Sequence, residues 1–139
     1  MGATYFVTFS TILRRELTSQ SRDIALSCCV HDHRLTFFLN AVCVMPDHVH
    51  MAFTPYEQWR LPQIMRRVKG VSSRLINQAD GVRGHLWQDE SFDRIMRSHE
   101  NVRKKCEYIC ANPVRAGLAS SPDGYRWIWR SWVEGGEEE

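Results

Sequence analysis

The chain has 139 residues, 43% hydrophobic and 24% charged, the size and make-up of one globular domain able to bury a core, which excludes collagen-like, low-complexity and wholly disordered classes. Its net charge is +2, yet four of its sixteen acids are Glu134, Glu137, Glu138 and Glu139; without them 18 cations face 12 acids, a balance of +6. Fifteen of the cations are Arg, whose planar fork suits phosphate, although charge alone fits a solvated helix face equally well.

Thr4 to Ile12 (TYFVTFSTI) is β-branched and aromatic with partial alternation, and predicts a strand. Arg14 to about Cys29 sets Leu17, Ile24, Ala25 and Cys28 at helical intervals without Pro or Gly, and predicts a helix. Thr36 to Met45 is nearly continuous in apolar residues and predicts a central strand. Pro46 and Asp47 break it, and His48 to Thr54 follows as a third strand joined through a tight hairpin. Leu61 to Gln78 repeats apolar residues at helical spacing and predicts a second helix, interrupted by Gly70. Gly81 to Gly84 reads as a loop, and Leu86 to Met96 holds a short strand near its end. Ser98 is placed to cap a third helix running to about Asn112, where Pro113 disfavours helical geometry in the residue before it. The aromatic remainder, with Tyr125, Trp127, Trp129 and Trp132, is expected to wrap the domain.

This order predicts an α+β fold, a ferredoxin-like βαββαβ sandwich whose antiparallel sheet is covered by helices on one face, with an additional C-terminal helix. One domain is expected over residues 1–133 and a disordered acidic tail over 134–139. The longest apolar run, Ala41 to Met45, is too short to cross a bilayer, and Met1 to Ser10 lacks the basic start and apolar centre of a secretory signal. A cytoplasmic protein with no membrane partner is therefore expected. Cys28, Cys29, Cys43, Cys106 and Cys110 are odd in number and read as reduced, small buried hydrophobes. Cys28, Cys29, His31 and His33 have zinc-ligand chemistry but not the spacing that closes a tetrahedron.

His48 and His50 stand two apart on a predicted strand, so alternation sends both imidazoles to one face while Val49 points to the other. Two imidazoles on adjacent same-face positions can share a divalent ion, but two partly exposed strand histidines would read the same way. On a helical wheel Val102, Cys106, Ile109 and Cys110 make one apolar stripe, and Tyr108 projects about 145° from its centre. Asn112, four residues on, shares the face of Tyr108, with Lys104, Lys105 and Arg115 nearby. A phenol, an amide and three cations on one face could hold a phosphate beside a metal; an ordinary exposed Tyr leaning on an Arg stem is the competing reading.

Three strings then carry a resemblance over almost the whole chain. MPDHVHM at Met45 to Met51 resembles the HUH motif of single-tyrosine, single-strand DNA transposases. WQDESFDRIMRS at Trp87 to Ser98 and EYICANPVRAGL at Glu107 to Leu118 resemble the other signatures of the REP-associated tyrosine transposases, in the IS200-like branch. Asp47 departs from the commoner Asn before the first His, and Cys110 stands where a polar residue is frequent.

The resemblance implies that Tyr108 is the nucleophile and that His48, His50 and Asn112 bind Mg2+ or Mn2+. It implies cutting of one DNA strand near palindromic hairpins, leaving a 5′-phosphotyrosine and a free 3′-hydroxyl, by a nucleoid-associated monomer or homodimer. Two nitrogen ligands are softer than magnesium prefers, so manganese is expected to support more activity. DNA binding is expected from Arg66, Arg67, Lys69, Arg74, Arg94, Arg97, Lys104, Lys105 and Arg115, with Trp87 stacking on an unpaired base unless it is a core residue. The rival readings are an inactive single-stranded nucleic-acid-binding module of the same fold, a metal-dependent nuclease using activated water, and a purely structural interaction protein.

Overall fold

The computed structural model describes residues 2–96 and 99–135. The strands are β1 (Thr4–Ser10), β2 (Phe37–Val44), β3 (His48–Pro55), β4 (Phe92–Met96) and β5 (Ile128–Arg130); the helices are α1 (Ser19–His31), α2 (Leu61–Asp80), α3 (His99–Cys110) and the short α4 (Asn112–Arg115). All strand pairs are antiparallel, in the order β4-β1-β3-β2-β5. The ferredoxin-like βαββαβ order is therefore present, with β5 added beside β2. That last strand was not expected from the aromatic C-terminal stretch, whose three paired residues are too few to show alternation.

The central strands bury both faces, which explains their unbroken apolar character. On one face Val7, Phe9, Leu39, Val42, Val49, Met51 and Phe53 pack against Ala25 and Cys29 of α1 and Ile64, Val68 and Ile76 of α2. On the other, Phe6, Ala41, Cys43 and Ala52 pack against Cys106, Ile109 and Cys110 of α3. The helices thus cover two faces rather than one, and the apolar stripe read on the third helix is what seats it. The five cysteines are free thiols, and four of them are buried. Burial pushes Cys110 up to about 11 and Cys106 up to about 12, so both are protonated packing groups at neutral pH.

Several boundaries moved for local reasons. The first helix begins at Ser19, not Arg14, because Leu13 and Arg14 adopt left-handed backbone angles (φ 56° and 55°) that no α-helix accommodates; Thr18 then caps it by accepting a hydrogen bond from Ser21 N–H at 3.0 Å. Gly70 does not interrupt α2, which runs on to Gly81 in the left-handed C-cap conformation. The third helix stops at Cys110, and Asn112 begins α4 instead of ending α3. Pro46 and Asp47 form a two-residue hairpin loop closed by Met45 N–H donating to the His48 carbonyl at 2.8 Å. Glu134, assigned to the acidic tail, accepts from Arg130 N–H at 3.0 Å; 136–139 lie outside the described residues, as do Arg97 and the cap position Ser98.

At the C-cap of α1 the buried Asp32 accepts from Arg67 Nε (2.9 Å) and Nη2 (3.1 Å), tying α1 to α2. Burial works to raise its pKa, but hydrogen bonds from Arg67 and His31 outweigh it and hold the carboxyl below its ordinary value. Asp32→Asn is expected to lower unfolding free energy by about 1–2 kcal/mol at neutral pH. Because the folded pKa is depressed, that stabilisation exists above the unfolded carboxylate pKa and is lost as pH falls through the folded one. Urea melts of the two proteins should differ at pH 7 and converge on the acid side; parallel curves throughout would show that the carboxylate charge is not what matters.

Candidate metal and nucleophile site

His48 and His50 occupy alternate positions of β3, and their rings stand edge to face with centroids 4.8 Å apart. Each has its Nδ1 fixed. His48 Nδ1 lies 2.8 Å from Asp47 Oδ1, and His50 Nδ1 lies 2.9 Å from Thr8 Oγ1. Antiparallel pairing of β1 with β3 sets Thr8 opposite His50, so the second contact is a product of register. No hydrogen bond engages either Nε2 among the described residues, which leaves both available to a ligand.

Asp47 is itself held. Its carbonyl accepts from Thr11 N–H (2.9 Å), and its Oδ2 accepts from Arg14 Nε (2.9 Å), which the left-handed turn at Leu13 and Arg14 brings into reach. Partial burial acts to raise the Asp47 pKa, but hydrogen bonds from His48 and Arg14 prevail and keep it ionised. Burial, with the charges of His48 and Arg115 adding to it, lowers His50 to about 4. At neutral pH His50 is thus an uncharged imidazole with a lone pair to give.

Tyr108 is 63% exposed on α3, off the buried stripe, as the wheel anticipated. Arg115 organises its surroundings. The guanidinium carbon sits 3.9 Å from the Tyr108 ring centroid, and Nη2 donates to the Tyr108 carbonyl (2.9 Å) and to Asn112 Oδ1 (2.5 Å). At the break after Cys110 the Tyr108 carbonyl accepts from Ala111 N–H at 3.2 Å, and Arg115, seven residues on, adds a second donor to it. The Arg115 charge is also felt by Cys43 and by His50, which pair across β2 and β3 on the α3 face. Tyr108, Asn112, Arg115 and the two imidazoles therefore share one side of the sheet.

The donor set fits a small divalent cation. Among the described residues no cluster of three or more His, Cys, Asp and Glu gathers to bind a metal, so the Cys28, Cys29, His31, His33 grouping does not assemble one. A cation at the imidazole pair would need a third protein donor of another type. Asn112 Oδ1, on the same side of the sheet, is an oxygen of that type, with two lone pairs of which Arg115 takes one.

The expected DNA-binding residues other than Arg97 and Arg115 lie in different surroundings. Arg94, Lys104 and Lys105 line a cleft of about 430 Å³ together with Tyr108. Arg66, Lys69 and Arg74 line a larger one, about 1030 Å³, between α2 and the segment before β4. Arg67 is ion-paired with Asp32, and Lys69 Nζ holds the carbonyls of Gln88 (2.7 Å) and Asp89 (3.1 Å), so both have structural work to do. Trp87 is 4% exposed, stacked edge-on against Phe9 and donating Nε1–H to Ser72 Oγ at 2.9 Å. It is a core residue, closed to a base. Thr8 and Arg14 were missed in the sequence, because only strand register and a strained turn bring them to the histidines; Asp47 could have been found from its carboxylate beside His48.

Residues 2–112 match the family model described as Transposase IS200 like. A "REP-associated tyrosine transposase" of Escherichia coli (strain K12) is 27% identical over 119 residues, covering 84% of this chain and 69% of that protein. Among solved structures, a REP-associated tyrosine transposase bound to a REP hairpin superposes with a TM-score of 0.74 at 23% identity, covering 91% of this chain and 76% of the other. A Deinococcus radiodurans R1 chain gives 0.55 at 21% identity, covering 78% and 90%. With its family model spanning most of the sequence, the chain belongs to the IS200-like transposase family.

Proposed function

We propose that this transposase is of the REP-associated kind and nicks and rejoins single-stranded DNA beside palindromic hairpins, using Tyr108 as the nucleophile. The observation that carries this reading is the Arg115 contact set: one guanidinium joins the exposed Tyr108 to Asn112 while its charge reaches His50. Tyr108 Oη forms a bond to phosphorus as the bond from phosphorus to the 3′ oxygen breaks. The phenolic proton is released and the departing 3′ oxygen takes one up, so a 5′-phosphotyrosine and a 3′-hydroxyl result. Attack by that hydroxyl reverses the step, and no hydrolytic base is required.

His48, His50 and Asn112 would hold Mg2+ or Mn2+, which supplies Lewis-acid polarisation of a phosphate oxygen and neutralises developing charge. The Asp47 carboxylate accepts from His48 Nδ1–H and so sets that tautomer, Thr8 orients the His50 ring through Nδ1, and Arg115 holds the phenol. Arg94, Lys104 and Lys105 bind flanking phosphates. No helix among the described residues is long and apolar enough to cross a membrane, and a cytoplasmic, nucleoid-associated role accords with a DNA substrate.

The test is one incubation of labelled single-stranded hairpin DNA with manganese, followed by a denaturing gel. A covalent protein–DNA band is expected. Cut DNA without that band would point to activated water, and metal-independent binding without cutting to an inactive binding module. Asp47→Ala should weaken metal affinity and adduct formation by about 10- to 100-fold through a misoriented His48, as read by titration calorimetry and by the same gel.

A further inference from the structure

Phe92 opens β4, and its side chain is 65% exposed. β4 is the edge of the sheet, and alternation sorts its residues: Phe92, Arg94 and Met96 stand opposite Thr8, Phe6 and Thr4 of β1. Thr8 bonds His50, and Phe6 packs with Cys106 and Ile109 of α3, so this row belongs to the face that carries the imidazoles and Tyr108. Cys43, His50, Thr8 and Phe92 form one register row across four strands. Two inter-strand spacings put Phe92 roughly 10 Å from His50 along it.

A single exposed apolar side chain is ordinary; its neighbours make this one informative. No ring or cation stacks on Phe92 among the described residues. Two places along the same row, Arg94 enters the cleft of Lys104, Lys105 and Tyr108, whose lining holds three cations and no carboxylate. None of the three cations is ion-paired among the described residues. An open ring next to unpaired cations complements a polymer of flat apolar bases on an anionic backbone, and only unpaired nucleotides leave a base face free to stack. The sequence offered Trp87 for that role; Trp87 is buried against Phe9, and Phe92 is the aromatic that faces out beside the site.

We propose that Phe92 is the stacking platform for an unpaired base next to the cut phosphodiester, with Arg94 taking a flanking phosphate. This rests on the reading of Tyr108 as nucleophile. The platform tolerates any base, because every base presents a π face, and so it positions the strand without choosing its sequence.

The experiment uses the full chain and its Phe92→Ala, Phe92→Leu and Phe92→Trp variants with short single-stranded oligonucleotides of mixed sequence carrying 2-aminopurine. The parent should quench the fluorescent base. Phe92→Ala should lose the quenching and bind about tenfold or more weakly, and Phe92→Leu, apolar but ringless, should behave the same way. Phe92→Trp should restore both. Because the side chain is exposed, thermal melting should be unchanged in all three. Quenching and affinity retained in Phe92→Ala, or restored in Phe92→Leu, would overturn the platform. So would unchanged quenching with a Phe92-dependent dimer on sizing, which would assign the ring to a contact between copies. The covalent adduct reports on Tyr108 separately: an adduct without Phe92-dependent quenching sinks the platform alone. Quenching without an adduct removes the cutting reaction, and with it the placement beside a cut.

Discussion

Tyr108→Phe is expected to bind hairpin DNA with the affinity of the parent and to form no covalent adduct, a loss of about 10³-fold or more in cutting. The substitution removes one oxygen from a side chain that is 63% exposed and whose hydroxyl makes no hydrogen bond among the described residues. Ring packing against the Arg115 guanidinium at 3.9 Å is available to Phe as well, so the α3–α4 junction should keep its geometry. Equal melting temperatures and equal binding isotherms would establish that. Loss of the adduct then isolates the phenolic oxygen as the attacking group. Undiminished adduct in Tyr108→Phe would transfer the nucleophile to another residue, whereas undiminished cutting without adduct would make water the nucleophile.

Position along one element was legible in the sequence, and position between elements was not. The His48–Val49–His50 alternation placed two imidazoles on one face, and the wheel put Tyr108 off the buried stripe; both follow from periodicity within a single strand or helix. Pairing partners lay beyond that logic. Thr8 reaches His50 because β1 sits beside β3 in one register, and a one-residue slip would have turned its hydroxyl to the other face. The same gap left the aromatics undecided: Trp87 stayed open between core and platform, and Phe92 was not singled out. Both lie in a stretch with a weak pattern; contact with Phe9 and Ser72 covers Trp87, while the edge position of β4 leaves Phe92 open.

The cations show a further limit, since charge in a sequence does not reveal its partner. Arg67 and Lys69 were grouped with Arg66 and Arg74 as DNA contacts, yet one neutralises buried Asp32 and the other binds carbonyls of the segment before β4. Arg115, expected to touch DNA, packs its guanidinium on the Tyr108 ring and donates to the Tyr108 carbonyl. In the stretch of Cys28, Cys29, His31 and His33 the side chains have separate surroundings: Cys29 faces the core, Cys28 is half-buried and His31 turns toward Asp32.

His50→Ala should reduce manganese-dependent cutting by about 10²–10³-fold while leaving binding of uncut DNA nearly intact. His50 is the more demanding of the two imidazoles to replace. It is flanked by Thr8 on one side and Cys43 on the other, and burial keeps it neutral, so no neighbouring side chain can swing in to supply a nitrogen. His48 alone, aimed by Asp47, would leave one imidazole and one amide oxygen, a set too poor to retain a divalent ion at micromolar concentration. Raising manganese to millimolar levels should therefore recover part of the cutting, whereas in Tyr108→Phe added metal should recover none. This contrast separates a ligand from a nucleophile. Calorimetry on the DNA-free proteins gives a second, activity-independent reading: manganese should bind the parent and Tyr108→Phe alike, and His50→Ala far more weakly. Equal manganese affinity in all three would remove His50 from the metal site.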